Sequence, residues 1–172
     1  MVSSFAGREK ELRRGLAPDR RGHLTQEGKK VKPRLLLVDD EEMYLEYLSR
    51  RLITRHYDVT KCLSGEEALE KIRDRDFDVV ILDMLLPGMD GIETLREINK
   101  LKPLTEVIML TGHASLESGI EGMELGAFDY LRKPCDTEEL ITKINEACER
   151  KAQQEERIRL TSERYATEGQ DE

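Results

Sequence analysis

Five short apolar runs recur through the middle of the chain, at residues 35–38, 59–63, 79–82, 107–110 and 127–131, and the stretches between them carry apolar residues every third or fourth position. Runs this short read as buried strands, and the spacing between them is that of amphipathic helices. The first helix puts Met43, Tyr44, Tyr47, Leu48 and Leu52 on one stripe, and the fifth puts Leu140, Ile141, Ile144 and Ala147 on its inner face. Capping boxes mark further helix starts, at Ser64 with Glu67, Asp90 with Glu93 and Asp136 with Glu139. Strict alternation of strand and helix makes a parallel sheet with helices on both faces and right-handed crossovers. Units of this size and number predict an α/β, doubly wound, flavodoxin-like (βα)5 parallel sheet of strand order 2-1-3-4-5.

The chain changes character near Pro33 and again near Lys151. Residues 1–32 are rich in Arg, Lys and Gly without an apolar period, and read as a basic disordered arm: a solvated tail, or a docking arm for an acidic partner or nucleic acid. Residues 33–152 hold the whole strand–helix alternation and form the domain. Residues 153–172 read as a charged tail, a helical extension and then disorder, with Ile158 and Leu160 too few for a sustained coiled coil. The expected state is a monomer or weak dimer. So short a tail leaves no room for a DNA-binding or catalytic output domain, so output is expected through contact with a downstream protein.

Composition narrows the class further. With 172 residues, 38% of them hydrophobic, the chain builds one core plus tails, and 37% charged residues with a net charge of -8 make a surface that does not attract nucleic acid as a whole. No stretch approaches the roughly 18 apolar residues of a membrane span, and the start lacks the apolar segment of a secretory signal, which together suggest a cytoplasmic protein. Cys62, Cys135 and Cys148 are odd in number and far apart, as expected of reduced, buried or half-buried thiols.

The chemistry lies where the strands stop. The first run ends in Asp39 and Asp40 and the third in Asp83. In the order 2-1-3-4-5 these strands are neighbours, so three carboxylates converge at the carboxyl edge of the sheet, where such folds bind ligands. Like charges this close raise one another's pKa values unless a cation compensates, and an oxygen-only donor set favours Mg²⁺. The fourth strand ends in Thr111 and Gly112 and the fifth runs into Lys133 and Pro134, which bring a hydroxyl, an open position and an ammonium to the same edge. A carboxylate nucleophile, cations for the phosphoryl oxygens and a hydroxyl donor outline a phosphoryl-transfer site.

Residues 34–41 (RLLLVDDE), 78–91 (DVVILDMLLPGMDG), 109–113 (MLTGH) and 126–134 (GAFDYLRKP) resemble the receiver domain of bacterial two-component response regulators over about 120 residues. The resemblance implies that Asp83 is the phosphoacceptor, charged by a histidine kinase or phosphotransfer protein. It implies Mg²⁺ on Asp39, Asp40, Asp83 and the backbone carbonyl of Leu85; as the outer member of the acidic pair, Asp39 reads as holding the ion through water. Lys133 would pair with the phosphoryl group, Thr111 would follow it on activation, Tyr130 would be the switch aromatic, and the Lys133–Pro134 bond would be cis. The protein would be a regulatory phosphoacceptor rather than an enzyme, with the fourth helix, fifth strand and fifth helix as its output face.

Other readings stand beside these. Asp39 also suits an N-cap, Tyr130 a core position and His113 an idle loop residue. An apolar Leu85 beside the nucleophile is expected to slow hydrolysis of the acyl phosphate. Gly119 and Gly122 either weaken the fourth helix, at roughly 1 kcal/mol each, or permit close packing. Cys135 departs from the aromatic residue often found after Lys-Pro in the family. A haloacid-dehalogenase-type phosphatase would need an Asp where Leu85 stands, and a flavodoxin-type FMN binder a phosphate loop where Asp39 to Glu42 stand. A phosphorelay intermediate and a phosphate-independent pseudo-receiver remain as alternatives for the function.

Overall fold

A computed structural model describes residues 31–112 and 116–168. The basic arm expected over residues 1–32 lies outside these but for its last two positions, as does His113. The elements alternate as β1 (Arg34–Val38), α1 (Glu42–Thr54), β2 (Asp58–Cys62), α2 (Gly65–Asp74), β3 (Val79–Leu82), α3 (Gly91–Leu101), β4 (Glu106–Thr111), α4 (Leu116–Glu124), β5 (Asp129–Arg132) and α5 (Thr137–Glu168). The strands form one parallel sheet in the order β2-β1-β3-β4-β5. The expected fold and order are therefore those observed.

Side chains alternate across a strand, so each central strand feeds two cores. Leu36, Val38, Val80, Leu82, Val107 and Met109 pack with Ala68 and Ile72 of α2 and Leu95 and Ile98 of α3. Leu35, Leu37, Val79, Ile81, Ile108 and Leu110 pack on the other face with Leu45, Leu48 and Leu52 of α1 and Leu140, Ile144 and Ala147 of α5. Burial on both faces explains why these runs are apolar throughout rather than alternating.

Two local expectations are corrected. The stripe of α1 is rotated: Leu45, Leu48 and Leu52 are buried, whereas Met43 and Tyr47 point outward. Tyr47 instead packs its ring near Tyr44 and beneath the guanidinium of Arg51. Of the capping boxes only Asp90 with Glu93 closes in both directions. Ser64 accepts from the Glu67 N–H, but the Glu67 carboxylate accepts from Leu63 rather than from Ser64. Asp136 accepts from the Glu138 N–H, and Glu139 turns toward the Cys135 thiol, 3.8 Å away.

Helix α5 is much longer than its inner face requires, and its later turns are exposed, including Ile158, Leu160 and Tyr165. Cys62 and Cys148 are buried and Cys135 is half-buried. Among the described residues no helix is long and apolar enough to cross a membrane.

Candidate functional site

The parallel register pairs Val38 with Leu82, so the next residue on each strand, Asp39 and Asp83, leaves the sheet beside the other. The Asp83 N–H donates to the Val38 carbonyl at 2.9 Å, which continues the ladder and fixes that neighbourhood. Asp39, Asp40 and Asp83 each bring a carboxylate oxygen within 4.8 Å of the others. Asp39 and Asp83 are buried and Asp40 is exposed, which gives the cluster one side open to solvent.

Lys133, in the turn after β5, reaches into this cluster. Its ammonium hydrogen-bonds to Asp39 and lies 3.4 Å from Asp83 Oδ2 and 3.9 Å from Glu41 Oε2. Burial pushes the Asp39 carboxyl up, a tendency opposed by the hydrogen bonds from Lys133 and the Glu41 N–H and reinforced by the charge of Asp83. For Lys133 burial works against the charge, yet the carboxylates of Asp39, Asp83 and Glu41 together hold its pKa above the ordinary lysine value. The ammonium therefore stays charged and compensates two buried acids at once.

The loop between β3 and α3 shapes the backbone around Asp83. The Leu85 N–H points back at Asp83 Oδ1, 3.4 Å away, and the Leu85 side chain is exposed. The Gly91 N–H donates to the Met84 carbonyl at 2.8 Å, and a Cβ at Gly91 would sit 2.3 Å from the Asp83 carbonyl oxygen and 2.6 Å from Met84 Cα. Only glycine lets α3 begin this close to the loop that carries Asp83. Gly88 takes a positive φ of 75°, and the Met89 N–H after it donates to Glu66 Oε1 at 2.9 Å, which ties the loop to α2.

Thr111 ends β4 fully buried, and its carbonyl accepts from the Lys133 N–H at 2.9 Å, so the fourth and fifth strands stay paired up to the site. Among the described residues a Cβ on Gly112 would meet only Lys133 Cβ, at 4.0 Å. The Lys133–Pro134 peptide bond is cis, as the resemblance implied. Tyr130 lies farther back on β5. Its ring packs against Gly119 of α4, where an added Cβ would come within 3.3 Å of two ring atoms, and its hydroxyl is buried without a hydrogen-bond partner among the described residues. Burial accordingly raises the pKa of the phenol.

Residues 35–145 match the family model for the response regulator receiver domain. The chain belongs to this family. The receiver is 39% identical over 113 residues to the transcriptional regulatory protein ZraR of Escherichia coli O157:H7; the match covers 66% of this chain and 26% of that protein. The chain thus spans about a quarter of the length of this curated relative. A CheY-like receiver domain from Methanospirillum hungatei JF-1 superposes with a TM-score of 0.70 at 33% identity, covering 72% of this chain and 99% of the other. A response regulator from Burkholderia pseudomallei, whose structure contains a phosphorylated aspartic acid, a calcium ion and citrate, superposes with a TM-score of 0.64 at 27% identity, covering 72% of this chain and 73% of the other.

The carboxylate donor set of the receiver suits a hard divalent cation, since it is oxygen-only, compact and open on the Asp40 side. Of the residues expected at the site, Asp39, Asp40, Asp83 and Lys133 meet directly, and the Leu85 backbone adjoins them. Sequence reasoning missed two neighbours of Lys133. Glu41 follows the acidic pair and carries the same charge, which was a usable signal. Tyr44 has the spacing of the α1 stripe and no local mark of a second role; its ring centroid lies 4.2 Å from the Lys133 ammonium.

Proposed function

We propose that the receiver accepts a phosphoryl group on Asp83 from a histidine kinase or histidine phosphotransfer protein in the cytoplasm and signals by protein contact. The observation that carries this reading is the meeting of three carboxylates with Lys133 at the carboxyl edge of β1 and β3. The phosphorylated aspartic acid in the Burkholderia pseudomallei relative supports it.

An Asp83 carboxylate oxygen attacks the phosphorus of the donor phosphohistidine. The new P–O bond forms as the P–N bond breaks, and the imidazole leaves with the electron pair of that bond. Lys133 releases Asp39 and donates to a phosphoryl oxygen, and the Thr111 hydroxyl donates to another. Asp40, Asp83 and the Leu85 carbonyl would hold Mg²⁺, with Asp39 in the outer position, and the ion would supply positive charge to the phosphoryl oxygens. Asp39 already engages Lys133 and the Glu41 N–H, which suits it to the outer position, while Asp40 stands exposed.

Residues 33–152 make up the phosphoaccepting domain, with residues 153–172 as a charged tail outside it. Thr111 and Tyr130 relay the phosphorylated state to the face of α4, β5 and α5, where a downstream protein binds. The test is intact-protein mass after incubation with phosphoramidate, with and without Mg²⁺, on wild type and Asp83→Asn. A Mg²⁺-dependent gain of one phosphoryl group that Asp83→Asn abolishes is the expected result. No gain in the folded wild type would turn the reading to a phosphate-independent interaction module.

A further inference from the structure

Hydrogen bonds account for only one side of the Lys133 environment. Its ammonium faces Asp39, Asp83 and Glu41, and on the remaining side it lies 4.2 Å from the centroid of the Tyr44 ring. Only 14% of the Lys133 side chain is exposed. A lysine stem is long and flexible, and its ammonium is strongly hydrated in water, so a buried position needs both restraint and compensation. The electron-rich face of an aromatic ring supplies both and leaves the three N–H donors of the ammonium for oxygen atoms.

We propose that Tyr44 is a positioning residue for Lys133: its ring face holds the ammonium between Asp39 and Asp83, where an incoming phosphoryl group meets it already placed. The consequence for phosphorylation rests on the reading of Asp83 as phosphoacceptor; the placement itself does not. Tyr44 is well mounted for this. It lies in the first turn of α1, directly after the segment in which the Glu41 N–H fixes Asp39 Oδ1 at 2.9 Å, so one turn of chain presents both the carboxylate and the ring. The ring is half-buried against the core on the α5 side and leans on Tyr47, with centroids 6.4 Å apart. Burial, with the charge of Asp39 adding to it, pushes the Tyr44 phenol up, so the ring acts as a neutral face and not as an anion.

The measurement has two parts. The first is the chemical shift of the Lys133 Cε protons in the unphosphorylated protein, which adjoin an ammonium 4.2 Å from the Tyr44 ring centroid and so report the ring current. They are expected upfield in wild type and Tyr44→Phe, and at ordinary lysine values in Tyr44→Leu. The second is the rate of phosphorylation by phosphoramidate with Mg²⁺. Tyr44→Phe keeps the ring and retains the rate; Tyr44→Leu fills similar space without a π face and slows it about 3- to 10-fold, as the loss of a partly desolvated cation–π contact implies. In a Lys133→Ala background the Tyr44→Leu effect disappears, which a merely structural role would not produce. Unshifted Lys133 protons in wild type, equal rates for Tyr44→Leu and Tyr44→Phe, or a slowing that persists without Lys133 would each overturn the proposal. Should Tyr44→Leu fail to fold, the wild-type shift and the Tyr44→Phe rate decide. A wild type with shifted Lys133 protons that takes no phosphoryl group would sink the phosphoacceptor reading and leave the placement standing.

Discussion

Arg150 of α5 grips the carboxylate of Glu106, the first residue of β4, with Nε 2.7 Å from Oε1 and a second hydrogen bond from the other arm of the guanidinium. The same guanidinium lies 4.6 Å from the Phe128 ring centroid, and Glu106 is buried while Arg150 is partly exposed. Beside it, Lys151 donates to the Phe77 carbonyl at 2.8 Å and lies 3.3 Å from Asp78. These contacts fasten α5 to the amino-terminal edge of the sheet at the point where the helix runs on alone. β4 thus joins this clamp at Glu106 to Thr111 at its other end.

Removing the cation is expected to cost more than neutralising the acid. Arg150→Ala leaves a buried carboxylate without its partner and should lower stability by about 1–3 kcal/mol, the partial exposure of Arg150 keeping the loss below that of a fully buried pair. Glu106→Gln keeps an acceptor and should lose less. Urea unfolding of both variants checks the order, and equal losses would mean that packing of the arginine stem on Phe128 is the larger contribution.

Gly91 and Gly112 both flank the site but respond oppositely to an added methyl. At Gly91 the new atom meets backbone, the Asp83 carbonyl oxygen at 2.3 Å and Met84 Cα at 2.6 Å, which no rotamer change relieves. Gly91→Ala should destabilise by about 2 kcal/mol or more and displace the loop that holds Asp83. At Gly112 the methyl meets, among the described residues, only Lys133 Cβ at 4.0 Å, so Gly112→Ala should stay within about 0.5 kcal/mol of wild type. Thermal melts of the pair provide the comparison.

The part of the site legible in the sequence was the part set by strand ends. Short apolar runs gave the strands, the alternation gave their order, and the order brought Asp39, Asp40 and Asp83 together with Lys133. What stayed hidden depended on how helices approach one another. Met43 and Tyr47 share the spacing of a core stripe, yet the seating of α1 on the sheet buries Leu45 instead. That same seating carries Tyr44 over a lysine far along the chain, a meeting that no local period records. Glu106 lies just before an apolar run and reads as a boundary, because its partner Arg150 comes from the far end of another element.

Tyr130 carries a hydroxyl that is buried without a partner among the described residues, which costs about 1–3 kcal/mol relative to a satisfied group. Tyr130→Phe removes that group and keeps the ring packed on Gly119, so the unphosphorylated protein should become more stable, by about 1 kcal/mol, and melt higher. Gly119→Ala works from the other side, since its Cβ would press within 3.3 Å of the Tyr130 ring and force ring or helix to give. It should melt lower, and combining it with Tyr130→Phe should not restore the loss, because the clash is with the ring and not with the hydroxyl. Full recovery in the double variant would show that the hydroxyl, not the ring, is what α4 resists.

The loop that carries Asp83 should loosen in acid through Glu66. The Met89 N–H, followed by the N–H of Glu66 itself, holds the Glu66 carboxyl below its ordinary value of 4.5. A group whose folded pKa is lowered adds stability above its unfolded value, and that stability is lost as pH falls through the folded value. The contribution is therefore whole near neutrality, begins to fade as the pH falls past 4.5 and is lost below the lowered folded value, where the protonated carboxyl is a weaker acceptor for Met89. Glu66→Gln lacks the charge at every pH, so its urea midpoint should lie below that of wild type near neutrality and approach it as the pH falls through the lowered folded value. Amide exchange at Met89 should take the same course, slow in wild type at neutral pH relative to the variant and similar in both in acid. A gap between the two proteins that stays constant with pH would mean that the loop is held by the shape of the Gly88 turn and not by the carboxylate.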